Sequence, residues 1–466
     1  MIADEGAAAT GLSRSLAHRH VTMISIGGII GAGLFVGSSV AIAGAGPAAV
    51  LSYLGSGVLI VLLMQMLGEM AVTCPSVRSF SEFTRAGLGA GAGFVAGWLY
   101  WYFWVVVIPV EAIAGAVILH AWLALPTWML GLALMATMTG VNLMSARSYG
   151  EFEFWFASIK VAAIVAFIAL AAAYMIAGAP PGRIAANLTH LGGFAPHGAL
   201  AVLGGVATVF FAMTGAEITT VAAAESAEPA RAIAGMTRSV TVRIVVFYVV
   251  SIFCIVAVVP WGRVEPGFSP FTLALSVTGH PWVASSMSVV ILTAVLSCLN
   301  SAFYVCSRVL FVLAENGDAP RWLVKLNPRR VPARSVAVGS AAGVLGILAN
   351  AVASKSVFTF LLNAAGALIV FVYILTAAAQ IRLRLARRRE GGAEPAIRIW
   401  GFPWLSYATV AGLIAVLAAM ALTPGMASQL YVSLLTLAVA VLAYVLLRRH
   451  RAAAKAGEKQ SAAGTP

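Results

Sequence analysis

Stretches of about 20 apolar residues, the length a helix needs to cross a bilayer core, recur twelve times along this chain. They begin near Val21, Pro47, Ala92, Trp122, Glu153, Ala199, Val240, Val283, Ser335, Val357, Phe402 and Ala427. A water-soluble fold has too little polar surface to cover them: 61% of the 466 residues are hydrophobic and 10% are charged, against roughly 25% charged in soluble domains. The expected fold class is all-α, a polytopic membrane protein with twelve transmembrane helices. The first run is interrupted by glycines, has no clean cleavage site and is followed at once by further spans, so it does not read as a signal peptide. The chain divides into a tail over 1–19, a transmembrane domain over 20–450 and a second tail over 451–466, the tails polar and solvated.

The formal net charge of +13 raises the question of nucleic acid. Position answers it. Only Arg183, Arg263 and Lys355 of the 29 lysines and arginines fall in the loops opposite the termini, so by the positive-inside rule both termini are expected in the cytoplasm. The run Arg387, Arg388, Arg389 is expected to touch anionic lipid, and no nucleic-acid partner is expected. The longest outer loops, about Gly178 to Gly198 and Trp261 to Pro281, leave no room for a soluble catalytic domain. Cys74, Cys254, Cys298 and Cys306 have neither disulfide nor zinc spacing, and the seven histidines are scattered through tails and loops. No catalytic residue, cofactor or metal site is expected.

Two spans carry interruptions. The first holds Gly27, Gly28, Gly31 and Gly33 within seven residues at mid-membrane depth. Close helix packing through Gly27 and Gly31 is one reading. An unwound segment is the other, and its free N–H and C=O groups are tolerable in a membrane only if they line a cavity. The sixth span repeats the device with opposite polarity around residues 210–217. Paired breaks at corresponding positions of two halves point to a transporter site, because half-helix N-termini attract an anion and freed carbonyls a cation. An amino acid zwitterion needs both.

Six segments carry a family resemblance: LFVGSSVAIAGAGPA (Leu34 to Ala48), IPVEAIAGAVILHAW (Ile108 to Trp122), YGEFEFW (Tyr149 to Trp155), GAEITTVAAAESAEP (Gly215 to Pro229), SCLNSAFYVCSRVL (Ser297 to Leu310) and NGDAP (Asn316 to Pro320). Together, in order and at matching spans, they resemble the amino-acid permeases of the amino acid/polyamine/organocation superfamily, most closely its 4-aminobutyrate (GABA) permeases. The resemblance implies a five-plus-five inverted repeat with broken helices 1 and 6 and two further C-terminal helices, working as a proton-coupled importer in a bacterial inner membrane. It implies substrate contacts at Gly28, Ile29, Gly31, Ala32, Gly33, Phe211, Ala212, Thr214 and Gly215. The substrate carboxylate would meet N–H groups around Gly31, Ala32 and Gly33, its ammonium would meet carbonyls of both breaks, and Phe211 would be an aromatic lid. Relatives near the GABA group tend to carry an aromatic near Met213 and a serine at the position of Gly33, so this pocket departs from their pattern.

Ionisable residues inside a membrane are functional hypotheses by default. Lys160 either snorkels toward the inner headgroups or, as the resemblance implies, stands where sodium-coupled relatives hold a cation and carries the proton. Glu217 either accepts N–H groups freed by the sixth-span break or takes part in proton coupling. Glu111 follows Pro109, whose kink leaves a carbonyl without its donor. A protonated Glu111 can satisfy that carbonyl; alternatively, the acid attracts a substrate amine. Glu69 reads as a helix-end or loop anchor, Asn300 and Ser301 as packing residues, and the series from Trp98 to Trp104 as core. The reading is a secondary transporter that admits a small zwitterionic amino acid, 4-aminobutyrate first, with a proton. A permease for proline, an aromatic or another amino acid is the alternative, and a passive channel or a membrane enzyme fits less well.

Overall fold

The computed structural model of the chain describes residues 30–74, 80–144, 146–215, 217, 240–241, 243–278, 281–395 and 397–463. Among the described residues all regular structure is helical, as lipid requires of a chain whose main-chain polar groups must pair within each segment. Eight helical stretches are long and apolar enough to cross a membrane: Ala32–Thr73, Ala90–Leu123, Phe154–Gly178, Trp282–Glu315, Ala333–Val352, Ser356–Arg389, Trp404–Leu422 and Ala427–Arg451. Gly198–Met213, Ile244–Val258 and Thr127–Asn142 are shorter apolar helices. The stretch Ala32–Thr73 folds back on itself at the one-turn helix Gly46–Ala48, where Gly46 takes a φ of 64° that a side chain would resist.

Several boundaries differ from the sequence expectation. The window placed near Trp122 starts too early, because the preceding helix runs on to Leu123 and is ended by Ala124 in the left-handed region and by Pro126. Apolar residues continue through that turn, which hides it from hydropathy. The loops expected on the outer side are not bare, holding the short helices Arg183–Thr189 and Pro270–Ser276. The segment expected as a solvated tail from residue 451 continues the last helix to Ala463. The N-terminal tail, 1–19, lies outside the described residues.

Ala90–Leu123 is the central post, packed against Pro281–Glu315, Ser354–Arg389, Ala333–Val352 and the amphipathic helix Phe80–Leu88. Its residues from Phe103 to Ala116 are buried without interruption. Small residues let neighbouring helices close in: a methyl group on Gly366 would collide with the Ala207 carbonyl oxygen, so the helices Ser354–Arg389 and Gly198–Met213 meet main chain to main chain. Trp404–Leu422 and Ala427–Ala463 stand at the periphery with rows of exposed aliphatic side chains, among them Ile414, Leu422, Leu435, Val439 and Leu442. On a soluble protein such a surface would drive aggregation; facing acyl chains it is matched to its solvent.

Polar contacts gather at the end that carries Arg387, Arg388 and Arg389. There the buried Glu69 carboxylate accepts from Arg384 Nη1 at 3.0 Å and from the Ile399 N–H at 3.1 Å. It ties the end of Ala49–Thr73 to the extension of Ser354–Arg389 and to the loop that follows, and Arg384 also stacks over the Phe402 ring at 4.3 Å. Glu69 is the loop anchor expected of it. On the same side Asp318, in the NGDAP segment, pairs with Arg85 of the amphipathic helix, and its carbonyl accepts from Trp98 Nε1 at 3.1 Å. Both side chains of the Glu69–Arg384 pair are buried, but without Glu69 the guanidinium keeps the Ile399 carbonyl and lies 3.9 Å from Glu394, so Glu69→Ala is expected to cost about 1–3 kcal/mol, and Glu69→Ala with Arg384→Met to recover most of it. Thermal unfolding of the purified variants checks this, and a single variant that melts like the wild type would contradict it.

Candidate functional site

At both expected positions the described helix stops, and the chain on the far side of each stop, 1–29 and 218–239, lies outside the described residues. In the first span Gly31 is extended (φ −140°, ψ −147°), one helical turn follows over Ala32–Phe35, and the chain kinks again at residues 36–37 before Ser38–Ala45. Gly28 and Ile29 lie outside the described residues. In the sixth span Gly198–Met213 ends at an extended Thr214, and Gly215 takes a φ of 109°, a conformation open to glycine and closed to nearly all other residues. The two breaks meet. A methyl group on Gly33 would lie 2.7 Å from the Ala212 Cα and 3.0 Å from the Phe211 ring, and Phe211 packs on Phe103 at 6.0 Å between ring centroids. Gly31, Ala32, Gly33, Phe211, Ala212, Thr214 and Gly215 are all buried.

Each break has its own buried acid. The Ala32 N–H donates to both carboxylate oxygens of Glu111, at 2.9 and 3.1 Å. Glu111 therefore reaches across from Ala90–Leu123 to the first-span break. Among the described residues its hydrogen-bond partners are that N–H and the Cys298 thiol. Lys160 is 0% exposed and donates to Ser297 Oγ at 2.7 Å. The ammonium thus ends inside the protein rather than at the headgroups, within electrostatic reach of Glu111. Cys298, next to Ser297, closes the cluster: a methyl group on Gly31 would collide with its Cβ and would lie 2.7 Å from its Sγ and 2.7 Å from Glu111 Oε1.

At the second break Glu217 Oε2 accepts from the Gly215 N–H at 2.7 Å and from the Tyr373 hydroxyl at 3.3 Å, while Oε1 accepts from the Tyr100 hydroxyl at 3.2 Å. The Thr214 hydroxyl donates to the Phe210 carbonyl at 2.7 Å, and the Tyr248 hydroxyl to the Ala212 carbonyl at 2.9 Å. Glu217 does what the plain structural reading of it required, accepting an N–H freed by the break, and it is held by two tyrosines from other helices as well. Asn300 accepts from Asn142 at 2.8 Å across two helices, the packing role expected of it.

Sequence reasoning missed Tyr100, Tyr248, Tyr373, Ser297 and Cys298. A weak signal existed for some of them. Tyr373 is the one hydroxyl in the apolar run from Ala367 to Leu375, and Ser297 and Cys298 begin a polar patch inside an apolar helix. Beyond the breaks, a cavity of about 620 Å³ opens between residues 40–44 of the first span, Gly205 and Thr208 of the sixth, and Asn363. Thr208 donates to Asn363 Oδ1 across it at 2.6 Å. Among the described residues no group of three or more His, Cys, Asp or Glu side chains is gathered as a metal site would need.

Comparison with known proteins fits this geometry. The profile of the family described as "Amino acid permease" matches residues 20–456. A probable GABA permease of Pseudomonas aeruginosa is 46% identical over 94% of this chain and 93% of its own length. A gamma-aminobutyric acid permease of Bacillus subtilis is 40% identical over 96% of each chain. Among solved structures, a mutant form of a manganese transporter of Eremococcus coleocola superposes with a TM-score of 0.59 at 13% identity, covering 92% of this chain and 93% of that one. That likeness is one of fold.

The contact between the breaks can be tested without a ligand. Gly33→Ala forces a methyl group against the Ala212 main chain and is expected to cost about 1–3 kcal/mol. Gly44→Ala, with nothing within 4 Å of the added carbon, should leave the unfolding temperature unchanged or raise it. Equal melting of the two variants would mean that the breaks do not touch.

Proposed function

The chain belongs to the amino acid permease family, and from that premise we propose that it is a secondary transporter importing 4-aminobutyrate together with a proton across a bacterial inner membrane. Twelve transmembrane helices with cytoplasmic termini, the first ten arranged as two inverted repeats of five, are part of this proposal. The observation that carries it is the pair of interrupted spans meeting at Gly33, Phe211 and Ala212. Helices broken inside a membrane present main-chain donors and acceptors to a molecule with opposite charges at its ends.

In this reading the substrate carboxylate takes N–H groups at Gly31, Ala32 and Gly33, the ammonium takes carbonyls of Gly28, Ile29, Ala212, Thr214 and Gly215, and Phe211 closes over the bound molecule. Lys160, Glu111 and Glu217 are the proton-coupling groups. The buried Lys160 ammonium, bonded to Ser297, can release a proton toward one side and rebind it from the other as the two bundles rock. The identities of the relatives support 4-aminobutyrate as the substrate, and the uneven distribution of lysine and arginine between the two sets of loops supports the orientation.

Proteoliposomes test this directly. Under an inward proton gradient, labelled 4-aminobutyrate should accumulate above its outside concentration, an uncoupler should abolish the accumulation, and unlabelled 4-aminobutyrate should compete better than proline or phenylalanine. Lys160→Ala is expected to lose uphill accumulation while keeping exchange of internal for external substrate. Uptake indifferent to the uncoupler would make the protein a passive channel, and full accumulation by Lys160→Ala would remove the lysine from the coupling.

A further inference from the structure

A carboxylate already occupies the position that the proposed reading gives to the substrate's own carboxylate. Glu111 is 1% exposed, and both of its oxygens sit on the Ala32 N–H. Among the described residues the space beside it is filled on several sides. The absent side chain of Gly31 would meet Glu111 and Cys298 at 2.7 Å or less, Gly33 lies against Ala212, Gly115 on the central helix is covered by Leu134 and Val295, and Gly346 on Ala333–Val352 is covered by Pro109. A second anion that takes the same N–H must displace the first or meet it with its charge cancelled. Two carboxylates confined to one desolvated site do not both ionise; they share a proton.

Resting on that reading of the substrate site, we infer that ionised Glu111 and the substrate carboxylate compete for the same main-chain N–H of Ala32, so that substrate binds only when Glu111 is protonated. One proton from the outer solution then enters the site with each carboxylate. The neutral carboxyl no longer holds the Ala32 N–H in competition with an anion, and the Lys160 ammonium, formerly beside the Glu111 charge, faces the charge of the substrate instead. The total charge of the site is the same before and after binding apart from the substrate's own ammonium. This makes the acid at the first break the condition for binding, and it gives coupling a physical cause: without the proton, like charges exclude the substrate.

The groups that face Glu111 among the described residues are few. Pro281–Glu315 contributes the Cys298 thiol, Ala146–Ala173 contributes the Lys160 ammonium, itself held by Ser297 Oγ, and the first span contributes main chain. Thr127–Asn142 and Ala333–Val352 bring Leu134 and Gly346 to that part of the central helix. Lys160 is the one charged neighbour in this set, and Glu217 belongs to the other break.

Equilibrium binding to the purified full-length protein, from pH 5.5 to 8.5, tests the inference with 4-aminobutyrate, a panel of common amino acids and butylamine, which has no carboxylate. For wild type, Kd for the bound amino acid should rise about tenfold per pH unit above the titration of Glu111, the slope for one linked proton. For Glu111→Gln, whose amide oxygen can still accept from Ala32, it should be flat. A count of protons taken up in weak buffer needs no variant and should give one per amino acid bound and none for butylamine. A flat wild-type profile with no proton uptake would overturn the inference while leaving the transporter reading intact, and so would an unchanged slope in Glu111→Gln. Binding of another amino acid in place of 4-aminobutyrate, with the slope lost in Glu111→Gln, would uphold the inference and correct the substrate.

Discussion

Main-chain N–H and C=O groups cannot be left unpaired in hydrocarbon, and every feature of the site follows from how this chain meets that demand at two places where its helices stop. The described helices start after Gly31 and stop before Gly215, and N–H groups left without a helical partner there are taken up by side chains. At the first break the acceptor comes from another helix, Glu111 reaching from Ala90–Leu123 to Ala32. At the second it is local, Glu217 folding back onto Gly215 and steadied from outside by Tyr100 and Tyr373. Each break is thus paired with an acid, and the acids are buried because the breaks are.

The same demand explains the packing around the site. Glycines and alanines line the contact between the first and sixth spans because the main chains themselves must approach: Gly33 against Ala212, and Gly366 against Ala207 just behind. Aromatic residues fill what the small residues leave, with Phe211 against Phe103 and Phe210 against Tyr373. Farther out, the polar contacts of Glu69, Arg384 and Asp318 gather at the basic end, where helix ends leave carbonyls and loops to be anchored. Packed helices surround a pair of segments to which side chains supply hydrogen-bond acceptors.

Much of this was legible in the sequence because the bilayer imposes a simple code. Apolar length reports a span, and glycine density at mid-depth reports where a helix stops. The code does not reach contacts between helices far apart in the chain. That Glu111 meets Ala32, 79 residues away, or that Tyr373 meets Glu217, 156 residues away, depends on the rotation of each helix about its axis, which a uniformly apolar run does not specify. It also fails at turns made of apolar residues, as between Leu123 and Thr127, and it cannot tell a lysine that snorkels from one that turns inward. Lys160 turns inward because Ser297 offers an acceptor there, and nothing in the order of residues joins those two positions.

In the proposed function a molecule with opposite charges at its ends is held by main chain exposed where two helices stop. An electron cryomicroscopy map of the protein with 4-aminobutyrate bound is its most direct measurement. Density for the ligand should lie between residues 31–33 and 211–215, with both spans interrupted there and the Glu111 carboxyl moved off the Ala32 N–H. Continuous helices through both positions, or ligand density confined to the outer cavity beside Thr208 and Asn363, would contradict it.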